Sequence, residues 1–182
     1  MLGMVFTEFI ELVEDRFSPD IADQVLREVA PTNGGAYTAV GDYPHQDMMA
    51  LMTALAARTG TSVAAVMHAF GEHLLMRFTE VHAAMFARYP NFFDLVAAID
   101  GHIHVEVHKL YQQATLPRFT VVERSPDRML LFYESPRRME ALAQGLLDAA
   151  ARHYGEPSRI SHVESTGPDG RPGVMFTIER LA

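Results

Sequence analysis

Cysteine is absent from this chain, which excludes disulfides, thiolate ligation of a metal and every cysteine-based zinc site. That absence fits a reducing compartment, and a cytoplasmic location is the expectation. Tryptophan is absent too. Positive charge is scarce: 15 Lys and Arg stand against 23 Asp and Glu, for a net charge of −8. No basic patch stands out, so nucleic acid, whose phosphates need clustered cations, is not the expected partner. The opening MLGMVFTEF has no basic stretch and no long apolar run, and no signal peptide is expected. No apolar run approaches the length of a membrane span, so no membrane partner is expected either. What is plentiful is methionine and phenylalanine, 11 of each, in a chain of 182 residues that is 48% hydrophobic. That composition suits one domain with a sizeable, adaptable core or an apolar cavity.

The densest chemistry lies in Ile99–Phe119, IDGHIHVEVHKLYQQATLPRF. His102, His104 and His108 alternate there with Ile103, Val105 and Val107, and Glu106 is the one carboxylate among them. Neutral imidazole is the commonest protein metal ligand. On a strand, His102, His104, Glu106 and His108 would share a face, which suits zinc or non-haem iron. On a helix, His104 and His108 share a stripe while His102 points elsewhere. A single helical histidine over an apolar pocket suits a haem iron. A polar helix face with solvated histidines is the plainest alternative. The alternation from His102 to His108 favours a strand locally, while spacing alone leaves all three readings open.

Along the chain, Phe6, Phe9, Ile10, Val13 and Phe17 follow helical spacing. Ser18-Pro19-Asp20 reads as the cap and first turn of a second helix through Ile21, Val25 and Val29, ended by Pro31. Thr32–Tyr43 is glycine-rich and predicts a loop. Pro44 opens a third helix that stops at Gly60, and Ser62 caps a longer one through Val63, Met67, Phe70, Leu74 and Phe78, which either runs on or breaks before Phe86. Tyr89-Pro90 is a stop, Asn91 a cap, and Gly101 a candidate break. After Pro117, Phe119–Glu123 and Met129–Glu134 predict strands around the turn Ser125-Pro126-Asp127. Arg138–Tyr154 predicts a helix whose buried face is Met139, Leu142, Leu146 and Ala149. Arg159–Ser165 and Val174–Leu181 predict a closing hairpin. Helices followed by ββαββ imply an α+β fold with an antiparallel sheet.

Four stretches in order carry a family resemblance. They are MLGMVFTEFIELVEDRF, GGAYTAVGDYPHQDMMAL, IDGHIHVEVHKLY with ATLPRF, and the run Tyr133, Ser135, Arg137. Together they resemble the H-NOX (HNOB) family of haem-nitric oxide/oxygen binding domains, related to the haem sensor domain of soluble guanylate cyclase. The resemblance spans essentially the whole chain. It implies a single domain over residues 1–182, with a helical lobe at about 1–90, a haem-ligand helix and α/β lobe at about 91–182, and haem between them. It also implies that the His cluster is helical. Counted back from Lys109-Leu110, His104 stands where the family has its iron ligand, and His102 and His108 receive no role. Tyr133, Ser135 and Arg137 would hold the haem propionates, since Arg grips a carboxylate through paired N–H bonds. Arg138 is a neighbouring cation that mutagenesis could confuse with Arg137. Pro117 would press on the haem. Val5, Phe9, Leu74, Phe78, Leu142 and Leu146 would line the distal side. None of them donates a hydrogen bond, and Leu142 stands where oxygen-binding members carry a tyrosine.

The implied function is gas sensing without catalysis. Haem b (iron protoporphyrin IX) would bind nitric oxide, with carbon monoxide as a second ligand and no stable O2 complex. Release of His104 would signal to a separate partner, by family analogy a histidine kinase or a diguanylate cyclase. Two other classes compete. One is a non-haem metalloenzyme built on His102, His104, Glu106 and His108. The other is a haem-free module whose apolar cavity takes a lipid or a partner helix.

Overall fold

The computed structural model describes residues 1–112 and 114–181; Gln113, inside the histidine-bearing stretch, and Ala182 lie outside the described residues. Four helices come first: α1 (Gly3–Arg16), α2 (Pro19–Val29), α3 (His45–Thr59) and α4 (Val63–Val81). Short helices α5 (Ala83–Phe86) and α6 (Phe92–Ala97) follow. A π-helical turn over Ile99–Ile103 then leads into α7 (His104–Leu110). The rest is β1 (Arg118–Arg124), β2 (Arg128–Glu134), α8 (Glu140–His153), β3 (Ser158–Thr166) and β4 (Pro172–Arg180). The fold is α+β, with ββαββ after the helices, as the sequence predicts.

The predicted caps close their helices by the expected chemistry. Ser18 Oγ accepts from the Ile21 amide at 3.2 Å, Ser62 Oγ from Ala65 at 3.1 Å, and Asn91 Oδ1 from Asp94 at 2.9 Å. Of the two options for the fourth helix, the chain takes the break, at His82. The strands form one antiparallel sheet in the order β1-β2-β4-β3. Met129, Leu131 and Tyr133 of β2 and Val174, Phe176 and Ile178 of β4 point to one face, where α8 covers them.

Two apolar cores result. One joins α1–α4 and Met139 around Phe6, Phe9, Met48, Met52 and Phe70. The other joins α6, α8 and the sheet around Phe92, Phe93, Leu131 and Phe176. Phe78 and Leu146 touch both cores, and Leu142 packs against the helical one. The cores meet where α4 packs on α8, and two glycines make that contact possible. A Cβ at Gly71 would collide with the Leu142 carbonyl, and a Cβ at Gly145 with the His68 carbonyl. The two backbones are therefore in direct contact, which only hydrogen side chains allow. The predicted buried face of α8 is shifted by this crossing. Met139 and Ala149 are buried, together with Ala143, Leu147, Ala150 and Ala151, whereas Leu142 and Leu146 are only half-buried.

Gly145→Ala must push α4 and α8 apart. Overpacking of this kind costs about 1–3 kcal/mol, and each kcal/mol lowers Tm by about 2–4 °C in a domain of this size. A thermal melt checks it, and an unchanged Tm would show that the two helices separate without cost.

Candidate functional site

Leu142 and Leu146 are half-buried because they face a cavity. It has a volume of about 270 Å³ and lies between the two cores. Apolar side chains that face such a volume forgo packing contacts they would otherwise make. Such a volume makes physical sense when a ligand repays it.

Polar groups reach the cavity at few places. The first is His104, the opening residue of α7. The π-helical turn before it carries an extra residue: the Ile103 amide reaches back to the Ala98 carbonyl, and the His104 amide to that of Ile99. Such wide turns re-aim the side chains that follow and are frequent at functional sites. The His104 ring is largely buried and sits 5.9 Å from the Phe119 ring. Its Nδ1–H donates to Asp100 Oδ1 at 3.0 Å, so the lone pair lies on Nε2. The same Asp100 oxygen accepts the Phe119 backbone N–H at 3.0 Å. Burial pushes the His104 pKa below its ordinary value, and Asp100 opposes that shift. A neutral imidazole with one nitrogen fixed by a carboxylate is the form a metal takes.

The second place is the end of β2. Tyr133 is buried within the strand, and burial pushes its hydroxyl pKa up, with Ser135 the main opposing influence. Ser135 and Arg137 follow in the turn to α8, and both line the cavity with Tyr133. Ser135 Oγ accepts the Arg137 backbone N–H at 3.2 Å. Arg138 takes a left-handed conformation, φ 52°, and its guanidinium leaves for Glu164 on β3. The turn thus sends the two arginines apart. Among the described residues no carboxylate pairs with the Arg137 guanidinium, which stays free for a carboxylate ligand.

Pro117 lines the cavity together with Ala114, Thr115 and Leu116. Val5, Leu74, Phe78, Leu142 and Leu146 supply the wall from α1, α4 and α8, and every cavity residue on those three helices is apolar. Phe9 lies one helical turn beyond Val5 on α1, buried in the helical core with its ring 5.1 Å from Phe70; it is not among the residues that line this cavity. The strand reading of the His cluster also fails. His102, His104, Glu106 and His108 do not converge, and among the described residues no group of three or more His, Asp or Glu side chains could hold a metal. His102 instead meets Tyr89, and Glu106 pairs with Lys109 at 2.6 Å.

The profile of the haem-NO-binding family matches residues 2–162. The chain belongs to that family. H-NOX domains bind haem and are sensor domains rather than catalysts, and their fold is that of a haem-based gas sensor. The chain is similar to an H-NOX protein from K. algicida in its unliganded Fe(II) form, at 31% identity and a TM-score of 0.91, over 100% of this chain and 97% of that one. It is similar to an H-NOX protein from S. oneidensis in the Fe(II)NO ligation state, at 27% identity and 0.87, over 100% of both. The Fe(II)CO form of an S. oneidensis H-NOX domain matches at 28% and 0.86, over 100% and 99%. Among curated proteins none matches. Among the described residues no single helix is long and apolar enough to cross a membrane.

The residues present fit a haem: an apolar slot, a neutral histidine on one wall and an unpaired arginine at the edge. Sequence reasoning missed Asp100, although a carboxylate four residues before a helical histidine was there to be read. Asp100→Asn removes the charge that favours the imidazolium. The His104 pKa should then move further below its ordinary value, because desolvation acts unopposed. A ¹⁵N NMR titration of the chain prepared without haem checks this, and a rise would contradict it.

Proposed function

We propose that this chain is a nitric oxide sensor that holds haem b (iron protoporphyrin IX) through His104. A haem held there would supply a ferrous centre able to bind NO or CO. Tyr133, Ser135 and Arg137 hold the propionates, with Arg137 supplying the charge. Pro117, rigid at φ, presses on the haem face. Residues 1–182 act as one sensor domain in this reading, with the helical lobe at about 1–90 and the remainder at about 91–182.

The observation that carries the choice of gas is the wholly apolar wall contributed by α1, α4 and α8. Bound O2 carries negative charge and is held by a distal donor, whereas NO is not dependent on one. Val5, Leu74, Phe78, Leu142 and Leu146 offer no donor. A hydrogen bond to a charged acceptor contributes about 1.5–3 kcal/mol, so its absence costs O2 about one to two orders of magnitude in affinity. NO loses little. His104 is held by one carboxylate, and no residue of its helix α7 is fully buried. It would be a tether that NO binding could release, and its release would let α7 move and the two cores shift about the α4–α8 contact. A separate signalling enzyme in the cytoplasm, a histidine kinase or a diguanylate cyclase, reads that shift.

The ferrous absorption spectrum tests this reading. It should show a Soret band, should change on adding NO to that of haem without its histidine, and should show no stable O2 complex in air. His104→Gly should lose haem unless imidazole is supplied, while His102→Ala and His108→Ala keep it. Haem retained by His104→Gly without imidazole would sink the ligand assignment.

Leu142→Tyr places a hydroxyl on the wall. The O2 affinity should rise by about tenfold or more, on the scale of one hydrogen bond to a charged acceptor, and CO affinity should change far less. O2 titration of the ferrous variant measures it. Equal effects on both gases would point to steric rather than hydrogen-bonding control.

A further inference from the structure

His102 stands in the π-helical turn and does not enter the cavity, yet it makes a side-chain hydrogen bond of its own. Its Nδ1 meets the Tyr89 hydroxyl, and the two rings lie 5.9 Å apart. Burial pushes the Tyr89 pKa above its ordinary value. The phenol therefore keeps its proton and donates, and His102 accepts on Nδ1. Tyr89 belongs to the fixed body: its amide donates to the Phe86 carbonyl, and Phe86 is buried in the sheet-side core. The bond thus closes the loop of chain that runs from Tyr89 through α6 into the π-helical turn.

The setting gives that bond leverage. No residue of the π-helical turn or of α7 is fully buried, and Val105 and Leu110 are exposed apolar residues. Ile99 and Ile103 pack half-buried against the sheet-side core. Polar contacts hold the segment at two further points, Asp100 to His104 and Phe119, and Tyr89 to His102. Asp100 acts on the ligand ring itself. Tyr89 acts on the backbone two residues before it.

We infer that Tyr89 and His102 are a pair of positioning residues that restrain the π-helical turn and so set how readily His104 leaves the iron. The inference rests on the haem reading above. In it, release of His104 requires the turn to move, and the Tyr89–His102 bond opposes that motion without touching haem or gas.

The experiment uses the haem-loaded protein and the variants Tyr89→Phe, His102→Phe, their double variant and His102→Asn. Stopped-flow mixing with NO reads the rate at which the Soret band moves to that of haem without histidine. Hydrogen exchange reads the backbone amides of residues 99–104. Tyr89→Phe should speed both about three- to tenfold, the worth of one neutral hydrogen bond. The double variant should be no faster than either single variant, because the two residues act through one bond. His102→Asn, whose side-chain oxygen stands near the place of Nδ1, should return the rate towards wild type. Rates within about twofold of wild type in both single variants, less than one hydrogen bond should give, would overturn the inference. So would effects that add in the double variant. A wild-type chain without a Soret band removes the haem reading before any variant is compared, and amide exchange at 99–104, which needs no iron, still decides the restraint.

Discussion

One carboxylate oxygen organises the His104 side of the cavity. Asp100 Oδ1 accepts the His104 Nδ1–H and the Phe119 backbone N–H, each at 3.0 Å. The first bond fixes the tautomer and leaves the lone pair on Nε2. The second ties the π-helical turn to the start of β1, where Pro117 and Phe119 form part of the cavity wall. Imidazole, proline and sheet edge are thereby held in one frame. That frame adds to packing, since no residue of α7 is fully buried.

The other constraint is the contact of α4 with α8. Gly71 and Gly145 let two backbones touch, and the cores on either side meet there. The same crossing turns Leu142 and Leu146 away from full burial and towards the cavity. The apolar wall and the contact between the two cores are thus built from the same two helices.

Much of this was legible in the sequence, for physical reasons that differ by element. The caps at Ser18, Ser62 and Asn91 were readable because capping is local chemistry, settled within three residues. The strands were readable from β-rich runs around a turn. The histidine stretch was not readable from spacing, because its period is neither that of a strand nor that of a regular helix. The extra residue of the π-helical turn separates His102 from His104, and that shift comes from tertiary contacts of Asp100 and Tyr89. Spacing puts Val5 and Phe9 on one stripe of α1, and the packing partner decides that Val5 meets the cavity while Phe9 meets Phe70 of α4. Gly71 and Gly145 carried no local signal, since a helical glycine means close approach only once its neighbour is known.

The arginine pair shows how a backbone feature becomes selectivity. Arg137 and Arg138 are adjacent and chemically identical, and side-chain type alone cannot rank them. The left-handed φ of 52° at Arg138 costs strain in a residue with a Cβ, on the order of 1–3 kcal/mol. That strain directs Arg138 out to Glu164 on β3 and leaves Arg137 on the cavity edge beside Tyr133 and Ser135. A relaxed turn would let both cations compete for Glu164 and leave the edge neutral. The strain is offset by the ion pair and by the buried Met139 that follows, which anchors the turn in the helical core. Among the described residues Arg137 therefore stands at the cavity rim without a carboxylate partner, so its charge is available to an acidic group of a ligand.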